Sequence, residues 1–367
     1  MTASDSCPES FPWKAQWINT ERCQSATNTW LIYRKSFAVT NVPNQLIARI
    51  AASKYWLWIN DQLVIFEGGL KRGPSPSGTY YDPVDIAPYL TKGSNTIAIL
   101  LWHFGKDGFS HINSGKAALL FEAIAPGLEI VSDASWQCAL YEAYQNTEAP
   151  FPNYRMPESN IRFDARQAIT NWNRTSFEGS LPGAVCVGKA GKAPFGDLVE
   201  RPIPQWKNSG LLSYVSVRES LRGDTLFCRL PYNAQITPYL KVEAEAGKTI
   251  HIRMDNYEGG SERNVRAEYI TREGEQEYES YGWMNGLAGS FHCDDPFYDE
   301  LWQRSARTLY ITMRDNYMDC PDRERAQWWG DATNEMMQIV YSMDENSYLL
   351  YEKGLDQMLG WMETDNE

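Results

Sequence analysis

The stretch Tyr317-Met-Asp-Cys-Pro-Asp-Arg-Glu-Arg-Ala-Gln-Trp-Trp-Gly-Asp-Ala332 decides how the rest of the chain is interpreted. Within sixteen residues it holds four acidic residues, two arginines and two adjacent tryptophans. A solvated charged segment would not carry the tryptophans or the Cys-Pro pair with it. Because the ring of Pro321 fixes its own φ and biases Cys320 toward an extended backbone, the carboxyl groups on either side are expected on a loop.

Amphipathic helices are predicted on both sides of this loop. Upstream, Asp295-Pro296 is typical of an N-cap followed by a first-turn proline, and a helix is predicted over about 295–315. Downstream, helical periodicity resumes at Asp331, a predicted N-cap, with helices expected over 332–343 and 347–362. The apolar positions are Tyr298, Leu301, Trp302, Leu309 and Met313 in the first helix, and Ala332, Met336, Ile339, Val340 and Met343 in the second.

The side chains of this loop are the kinds that a sugar-processing site needs. Carboxyl groups transfer protons and bind hydroxyls, and aromatic faces hold a sugar ring. The same residues could instead form an ion-pair network that braces a helix junction. The residues alone leave both interpretations open.

The segment from Asp319 to Ala332 also resembles a known family signature. Asp-Cys-Pro-x-Arg-Glu-Arg, followed by x-x-Trp-x-Gly-Asp-Ala, is similar without a gap to the signature of the α-L-rhamnosidases of glycoside hydrolase family 78. The resemblance implies the catalytic general acid at Glu324, rhamnose-binding groups at Asp319, Arg323 and Asp331, and an aromatic lining of the site at Trp328. It therefore favours catalysis over a purely structural network.

Other polar residues near the motif are expected to have ordinary roles. Asp322 and Arg325 are interpreted as structural, and Glu335 as a polar helix position. Neighbouring carboxylates favour the protonated form that a general acid needs, whereas nearby arginines favour the ionised form. The sequence alone does not determine which influence is stronger.

Residues 30–204 have the pattern of an antiparallel β-sandwich. Short alternating runs such as Leu31–Phe37, Tyr55–Ile59 and Thr96–Trp102 recur with turn signals at roughly ten-residue spacing. In order, Tyr-Arg-Lys-Ser-Phe, Tyr-Trp-Leu-Trp-Ile-Asn-Asp and Tyr-Tyr-Asp-Pro-Val-Asp-Ile resemble the galactose-binding-like jelly roll that precedes the catalytic domain in many family members. Trp56, Trp58 and Trp102 are predicted core residues, with sugar binding by the sandwich as the alternative.

These patterns, together with what the family resemblance implies, predict a multidomain chain. The expected parts are an N-terminal lead-in (1–29), a galactose-binding-like β-sandwich (30–204), a second β-domain (205–288) and the start of an (α/α)₆ catalytic barrel (289–367). About three helices follow the β-domains, whereas the family barrel has twelve. The family's catalytic base is a second Glu much later in that barrel, so the chain is predicted to be a fragment that lacks the base.

Composition excludes some partners. The formal net charge of −13 and the isoelectric point near 4.9 argue against nucleic acid or an anionic membrane surface. The seven cysteines include no Cys-x-x-Cys pair and the four histidines are scattered, so neither metal, cofactor nor disulfide framework is indicated. No apolar run is long enough to span a bilayer, and no signal peptide is visible. The predicted location is cytoplasmic, or periplasmic or secreted with the leader absent.

The sequence thus predicts an inverting exo-α-L-rhamnosidase that releases terminal L-rhamnose from rhamnose-containing oligosaccharides or glycosides. The alternatives are a carbohydrate-binding protein without catalysis and another sugar hydrolase on the same barrel. A downstream glutamate would separate the enzyme from the binding protein.

Overall fold

The computed structural model of the protein describes residues 12–206, 210–232, 234, 237–279, 292–320 and 323–362. Strands dominate up to residue 279, and three helices follow. The strands of the first 200 residues are β1 (Gln16–Asn19), β2 (Thr29–Val39), β3 (Ile47–Ala51), β4 (Lys54–Ile59), β5 (Gln62–Gly68), β6 (Gly78–Asp85), β7 (Gly93–His103), β8 (Leu120–Ala125), β9 (Leu128–Val131), β10 (Gln137–Leu140), β11 (Tyr144–Asn146), β12 (Ile161–Asp164), β13 (Val185–Lys189) and β14 (Asp197–Glu200).

Two five-stranded sheets form the β-sandwich, in the orders β10-β2-β7-β4-β5 and β14-β6-β3-β8-β9. Strands β2 and β7 pair antiparallel over eleven residues each, from Thr29 opposite His103 to Val39 opposite Gly93. Side chains of both sheets share one core, to which Ile97, Ile99 and Leu101 contribute from β7. The predicted sandwich is therefore confirmed.

The sheet that contains β2 and β7 is covered on both faces. Because side chains alternate along a strand, Ala98 and Leu100 of β7 enter a second cluster on the outer face. Trp58 is buried in this cluster, and Trp56 and Trp102 are partly buried against it. The tryptophans predicted as core residues therefore pack inside the protein, where their rings stack with Trp30 or meet Trp172.

The remaining strands are β15 (Ser216–Glu219), β16 (Leu226–Arg229), β17 (Tyr239–Ala244), β18 (Thr249–Arg253), β19 (Arg266–Ile270) and β20 (Gly274–Glu279). One four-stranded sheet has the order β11-β12-β19-β18, in which β12 and β19 run parallel. This sheet combines strands from both sides of residue 205. The segment before residue 30 also joins the fold, since β1 pairs with β13 and Ile18 is fully buried. The domain boundaries stay predictions.

The three helices are α1 (Pro296–Thr312), α2 (Trp329–Ser342) and α3 (Ser347–Met362). Asp295 caps α1 as predicted, because its side chain accepts a hydrogen bond from the backbone of Phe297. The predicted N-cap at Asp331 is wrong: the N-cap of α2 is Trp328, whose carbonyl accepts from the backbone N–H of Ala332 at 2.8 Å. Asp331 instead lies in the first turn, where a carboxylate complements the helix dipole.

The helices pack against the sandwich through one shared core. Ala332, Met336 and Ile339 of α2 are buried together with Leu309 of α1 and Leu350 of α3, and Leu70 and Tyr80 of the sandwich complete this cluster. Other apolar positions are exposed, including Leu301 in α1 and Val340 in α2. They belong to helix faces that the described residues do not cover. Among the described residues, no helix is both long and apolar enough to cross a membrane.

Candidate active site

The signature segment forms the loop between α1 and α2. Its backbone closes on itself through Asp319, whose N–H donates to the carbonyl of Ala326 and whose Oδ1 accepts from the N–H of Ala326, both at 3.0 Å. Asp319, predicted to bind rhamnose, therefore also holds the loop together. Pro321 and Asp322 lie outside the described residues. The bend predicted from Pro321 and the structural role predicted for Asp322 therefore stay predictions.

Glu324 is the best-defined carboxyl group of the loop. Its side chain is 12% exposed, and its Oε2 accepts a hydrogen bond of 2.7 Å from the indole Nε1 of Trp328. Its Oε1 lies 3.4 Å from a terminal nitrogen of Arg323. The structure thus brings together three of the predicted site residues, in an arrangement that stabilises a negative charge on the carboxyl group.

A third side-chain partner of Glu324 is Arg155, which lies on the connection between β11 and β12. The Nε of Arg155 lies 3.5 Å from Oε1 of Glu324, and a terminal nitrogen of Arg155 is hydrogen-bonded to Glu262. The neighbouring Asn153 donates its side-chain amide to the carbonyl of Arg323 at 2.7 Å. The segment around Arg155 therefore forms one wall of the candidate site.

Arg325 anchors the same loop to the sandwich. It has a positive φ of 54°, and its guanidinium lies 3.1 Å from Glu158, which also pairs with Lys71 at 2.7 Å. Burial raises the pKa of Glu158, but Lys71 and Arg325 more than reverse this effect, so the pKa lies well below its usual range. Arg325 therefore has the structural role predicted for it, and bracing and site formation coexist in one loop.

The start of the loop is fixed by a second buried ion cluster. Asp315 accepts from Lys54 at 3.3 Å and from the backbone of Lys71 at 3.0 Å, and its carbonyl accepts from Lys353 at 2.5 Å. Burial raises the pKa of Asp315, but the surrounding cations lower it further than burial raises it. Burial also lowers the pKa of Lys353 to about 7. Strand β4, the loop and α3 meet at this aspartate.

Glu335 differs from its predicted role as an ordinary polar position. It is half-buried on α2, and its Oε2 is buried without a hydrogen-bond partner among the described residues. Burial, with smaller contributions from the charges of Asp331 and Asp319, raises its pKa to about 7, although a hydrogen bond with Thr312 opposes the shift. Asp319 and Asp331 thus belong to a carboxyl-rich region around Glu335, whereas Arg323 and Trp328 contact Glu324.

Sequence reasoning missed Arg155, Glu158 and Glu262 as partners of the loop. Glu262 lies 61 residues before Arg323, and Arg155 and Glu158 each lie more than 160 residues before the group they contact. Their segments have no recognisable sequence pattern. Nothing in the local sequence indicates these pairings. Among the described residues, no group of three or more His, Cys, Asp and Glu side chains could hold a metal ion.

In this fold, β-sheets precede three helices, and the signature loop joins the first two of them. Residues 287–366 match the family model of the bacterial α-L-rhamnosidase six-hairpin glycosidase domain. A search of the curated proteins finds no match.

Several solved structures have a similar fold. The family 78 rhamnosidase of Bacillus sp. GL1 is 17% identical with a TM-score of 0.75, covering 92% of this chain and 62% of its own. For the α-L-rhamnosidase of Dictyoglumus thermophilum the identity is 18%, the TM-score 0.72 and the coverage 95% and 44%. For the Streptomyces avermitilis α-L-rhamnosidase complexed with L-rhamnose these values are 16%, 0.68, 89% and 36%.

The chain thus spans less than two thirds of the length of each of these structures. At such identities, the structural likeness establishes the fold. Together with the domain match, it confirms the resemblance to the α-L-rhamnosidases of glycoside hydrolase family 78. The combination of β-sandwich, further β-strands and the first helices of a six-hairpin domain is also confirmed.

Proposed function

We propose that the full-length protein is an inverting, exo-acting α-L-rhamnosidase that releases terminal L-rhamnose from oligosaccharides or glycosides. The observation that carries the proposal is the setting of Glu324. It occupies the glutamate position of the signature in a rhamnosidase-type domain, and it is held by Trp328 and two arginines.

Glu324 acts as the general acid in this mechanism. Its carboxyl proton passes to the glycosidic oxygen as the bond to the rhamnose C1 breaks. The carboxylate that remains is stabilised by the indole N–H of Trp328 and by the guanidinium groups of Arg323 and Arg155. These contacts also fix the direction in which the carboxyl group points.

Rhamnose binds in the part of the loop that holds the other carboxylates. Asp319, Arg323 and Asp331 bind its hydroxyls, and the ring of Trp328, 48% exposed, lines the site. Asp319 has one oxygen engaged with the backbone of Ala326, so its other oxygen is the one that serves the sugar. Holding the ring at fixed points places C1 beside the acid.

The 367-residue chain by itself is expected to be inactive. An inverting mechanism needs a carboxylate on the opposite side of the sugar, roughly 6.5–9.5 Å from the acid, to activate water. Asp319 and Asp331 belong to the same loop and helix start as Glu324, so they serve the acid side. The base is a glutamate from a later part of the six-hairpin domain.

The test is hydrolysis of an aryl α-L-rhamnoside by the full-length protein, beside a panel of other aryl glycosides and beside the 367-residue chain. We expect the full-length protein to hydrolyse the rhamnoside alone, with inversion at C1 seen by NMR. The 367-residue chain should show no turnover. Equal or better turnover of another glycoside would refute the substrate assignment. Turnover by the shorter chain would make Glu335 the first carboxyl group to test as the base.

A further inference from the structure

An exposed aromatic and charged surface, formed by the connections β7–β8, β11–β12 and β18–β19, lies beside Glu324. We call it the acid-side patch, and its members are Phe109, Tyr154, Arg155 and Glu262. The ring of Tyr154 is 73% exposed and the side chain of Glu262 is 48% exposed. None of these residues belongs to the signature loop.

The rings of the patch continue the aromatic lining of the loop. Phe109 meets Trp328 edge to face, with ring centroids 5.6 Å apart, and meets Tyr154 in the same way at 6.1 Å. The guanidinium of Arg155 lies 5.1 Å from the centroid of Tyr154 and 5.9 Å from that of Phe109. A continuous aromatic surface therefore runs from the residue that holds the acid out to Tyr154.

The backbone keeps this surface in a fixed place. The N–H of Phe109 donates to the carbonyl of Arg155 at 2.7 Å, and the N–H of Arg155 donates to the side chain of Asn153 at 3.0 Å. Gly108 packs so closely that an added Cβ would come within 2.5 Å of Pro157. A site that is ordered before binding loses less conformational entropy on binding.

The polar groups of the patch are paired but accessible. Arg155 is hydrogen-bonded to Glu262, and the Nε of Arg323 lies 4.0 Å from the other oxygen of Glu262. A flat apolar ligand would remove water from these charges without replacing its hydrogen bonds, which is costly. A sugar offers hydroxyls to the charges and an apolar C–H face to an aromatic ring. The patch therefore suits a sugar better than a flat apolar group.

Its position relative to the acid determines which sugar it would meet. The proton of Glu324 goes to the oxygen that joins rhamnose to the leaving group. In the proposed function, rhamnose is held by the loop and the start of α2. The acid-side patch, which contacts Glu324 through Arg155, is then left for the leaving group. We infer that the acid-side patch is a leaving-group subsite that binds a second sugar, with Tyr154 against its ring face and with Arg155 and Glu262 at its hydroxyls.

This inference rests on the proposed rhamnosidase activity. It narrows the preferred substrate class to rhamnose linked to another pyranose. The contacts with the sugar face and the hydroxyls would be made by connections between β-strands that precede the helices, so this β-rich part of the chain would contribute directly to substrate choice.

The test compares Tyr154→Ala and Tyr154→Phe in the full-length protein. Phe227→Ala is the matched control, because Phe227 is also an exposed aromatic ring, with Arg218 at 4.5 Å, and it lies on β16. The substrates are a rhamnosyl-glucose disaccharide, methyl α-L-rhamnoside and 4-nitrophenyl α-L-rhamnoside. The measured quantity is kcat/KM of each variant relative to the parent, so differences in leaving-group reactivity cancel.

We expect Tyr154→Ala to lose about tenfold more kcat/KM on the disaccharide than on the methyl rhamnoside. Tyr154→Phe should keep most of the parent's kcat/KM on the disaccharide, because the ring face is retained. Phe227→Ala should resemble the parent on all three substrates. Equal losses of Tyr154→Ala on the disaccharide and the methyl rhamnoside would overturn the subsite.

A greater loss on the nitrophenyl substrate than on the disaccharide would show that the patch takes flat aglycones, and the inference of a sugar would fail. The parent protein separates this outcome from failure of the proposed function. If it hydrolyses the methyl and nitrophenyl rhamnosides, the activity stands whatever Tyr154 does. If it hydrolyses no rhamnoside, the activity and the subsite fall together.

Discussion

Glu158 and Glu335 both have charged neighbours on the signature segment, and their pKa values shift in opposite directions. Glu158 contacts Lys71 and Arg325, and its pKa lies well below the usual range. Glu335 has Asp331 and Asp319 as its charged neighbours, and its pKa is raised to about 7. Burial raises the pKa in both cases, so the neighbouring charges decide the outcome. The cations around Glu158 therefore keep it ionised, whereas Glu335 is partly protonated near neutral pH.

The largest effect, on catalysis, is expected for Glu324, a third carboxyl group, which lies on the loop itself. In the full-length protein, Glu324→Gln should lower kcat for rhamnosides with poor leaving groups by about 10²–10⁴-fold, the usual contribution of positioned proton transfer. Aryl rhamnosides with good leaving groups should lose less, because their departing oxygen needs less protonation. Initial rates on both kinds of substrate measure this difference.

Unchanged secondary structure by circular dichroism is the control for Glu324→Gln. A variant as active as the parent on an unactivated rhamnoside would remove Glu324 from the acid role. Equal losses on both kinds of substrate would indicate that the side chain binds substrate and does not supply the proton.

The contribution of the Glu158 ion pairs to stability can be measured by substituting this residue. Glu158→Gln would remove the buried carboxylate that Lys71 and Arg325 share, and we expect a loss of about 3 kcal/mol in the free energy of unfolding at pH 7. Urea titration of the 367-residue chain measures it. Glu275→Gln is the control, because Glu275 pairs with Lys241 on the surface, and its loss should stay below about 0.5 kcal/mol.

The pH dependence gives the Glu158 prediction its sign. The folded-state pKa is depressed below the ordinary value of 4.5, so the stabilisation is present above pH 4.5 and is lost as the pH falls below it. Parent and Glu158→Gln should therefore converge in acid. A difference that is constant from pH 7 to pH 3 would assign the effect to packing and not to charge.

Glu335 should give the opposite pH dependence of stability from Glu158, with a smaller effect on the free energy of unfolding. Ionisation of Glu335 is disfavoured in the folded state, so the parent should lose stability as the pH rises from 4.5 to about 7. Glu335→Gln should then be more stable than the parent by about 1–2 kcal/mol at pH 8, a value reduced for partial exposure to solvent, and equal at pH 4.

The matched control for Glu335→Gln is Glu352→Gln, on an exposed position of α3. Urea titrations of the 367-residue chain at the two pH values compare both variants with the parent. If Glu335→Gln has no more effect at pH 8 than the control, Glu335 is an ordinary polar helix position after all.

The sequence predicted the elements far better than the contacts between them. The alternating runs located β2, β4 and β7, and the helical periodicity located α1 and α3 to within a few residues. The start of α2 was placed late, because Asp331 fits both an N-cap and a first-turn position. The last helix agreed with its predicted range, 347–362.

The candidate site divides in the same way. Arg323, Glu324 and Trp328 could be predicted to lie together, because they are within six residues of one another on one loop. Arg155 and Glu262 could not be predicted, because their contacts with this loop depend on how the β-sheets pack against the helices. Glu335 was missed because its raised pKa depends on burial and on charges contributed by other parts of the loop.

By itself, the sequence determined the order of strands and helices, the loop between α1 and α2, and the set of acids, arginines and tryptophans on that loop. These features depend on side-chain periodicity and on neighbours along the chain. Only the tertiary structure decided which charges meet each carboxyl group and which sandwich residues border Glu324. Electrostatic energy and burial depend on distance in space, and packing brings Asn153 within 2.7 Å of a residue 170 positions away in the chain.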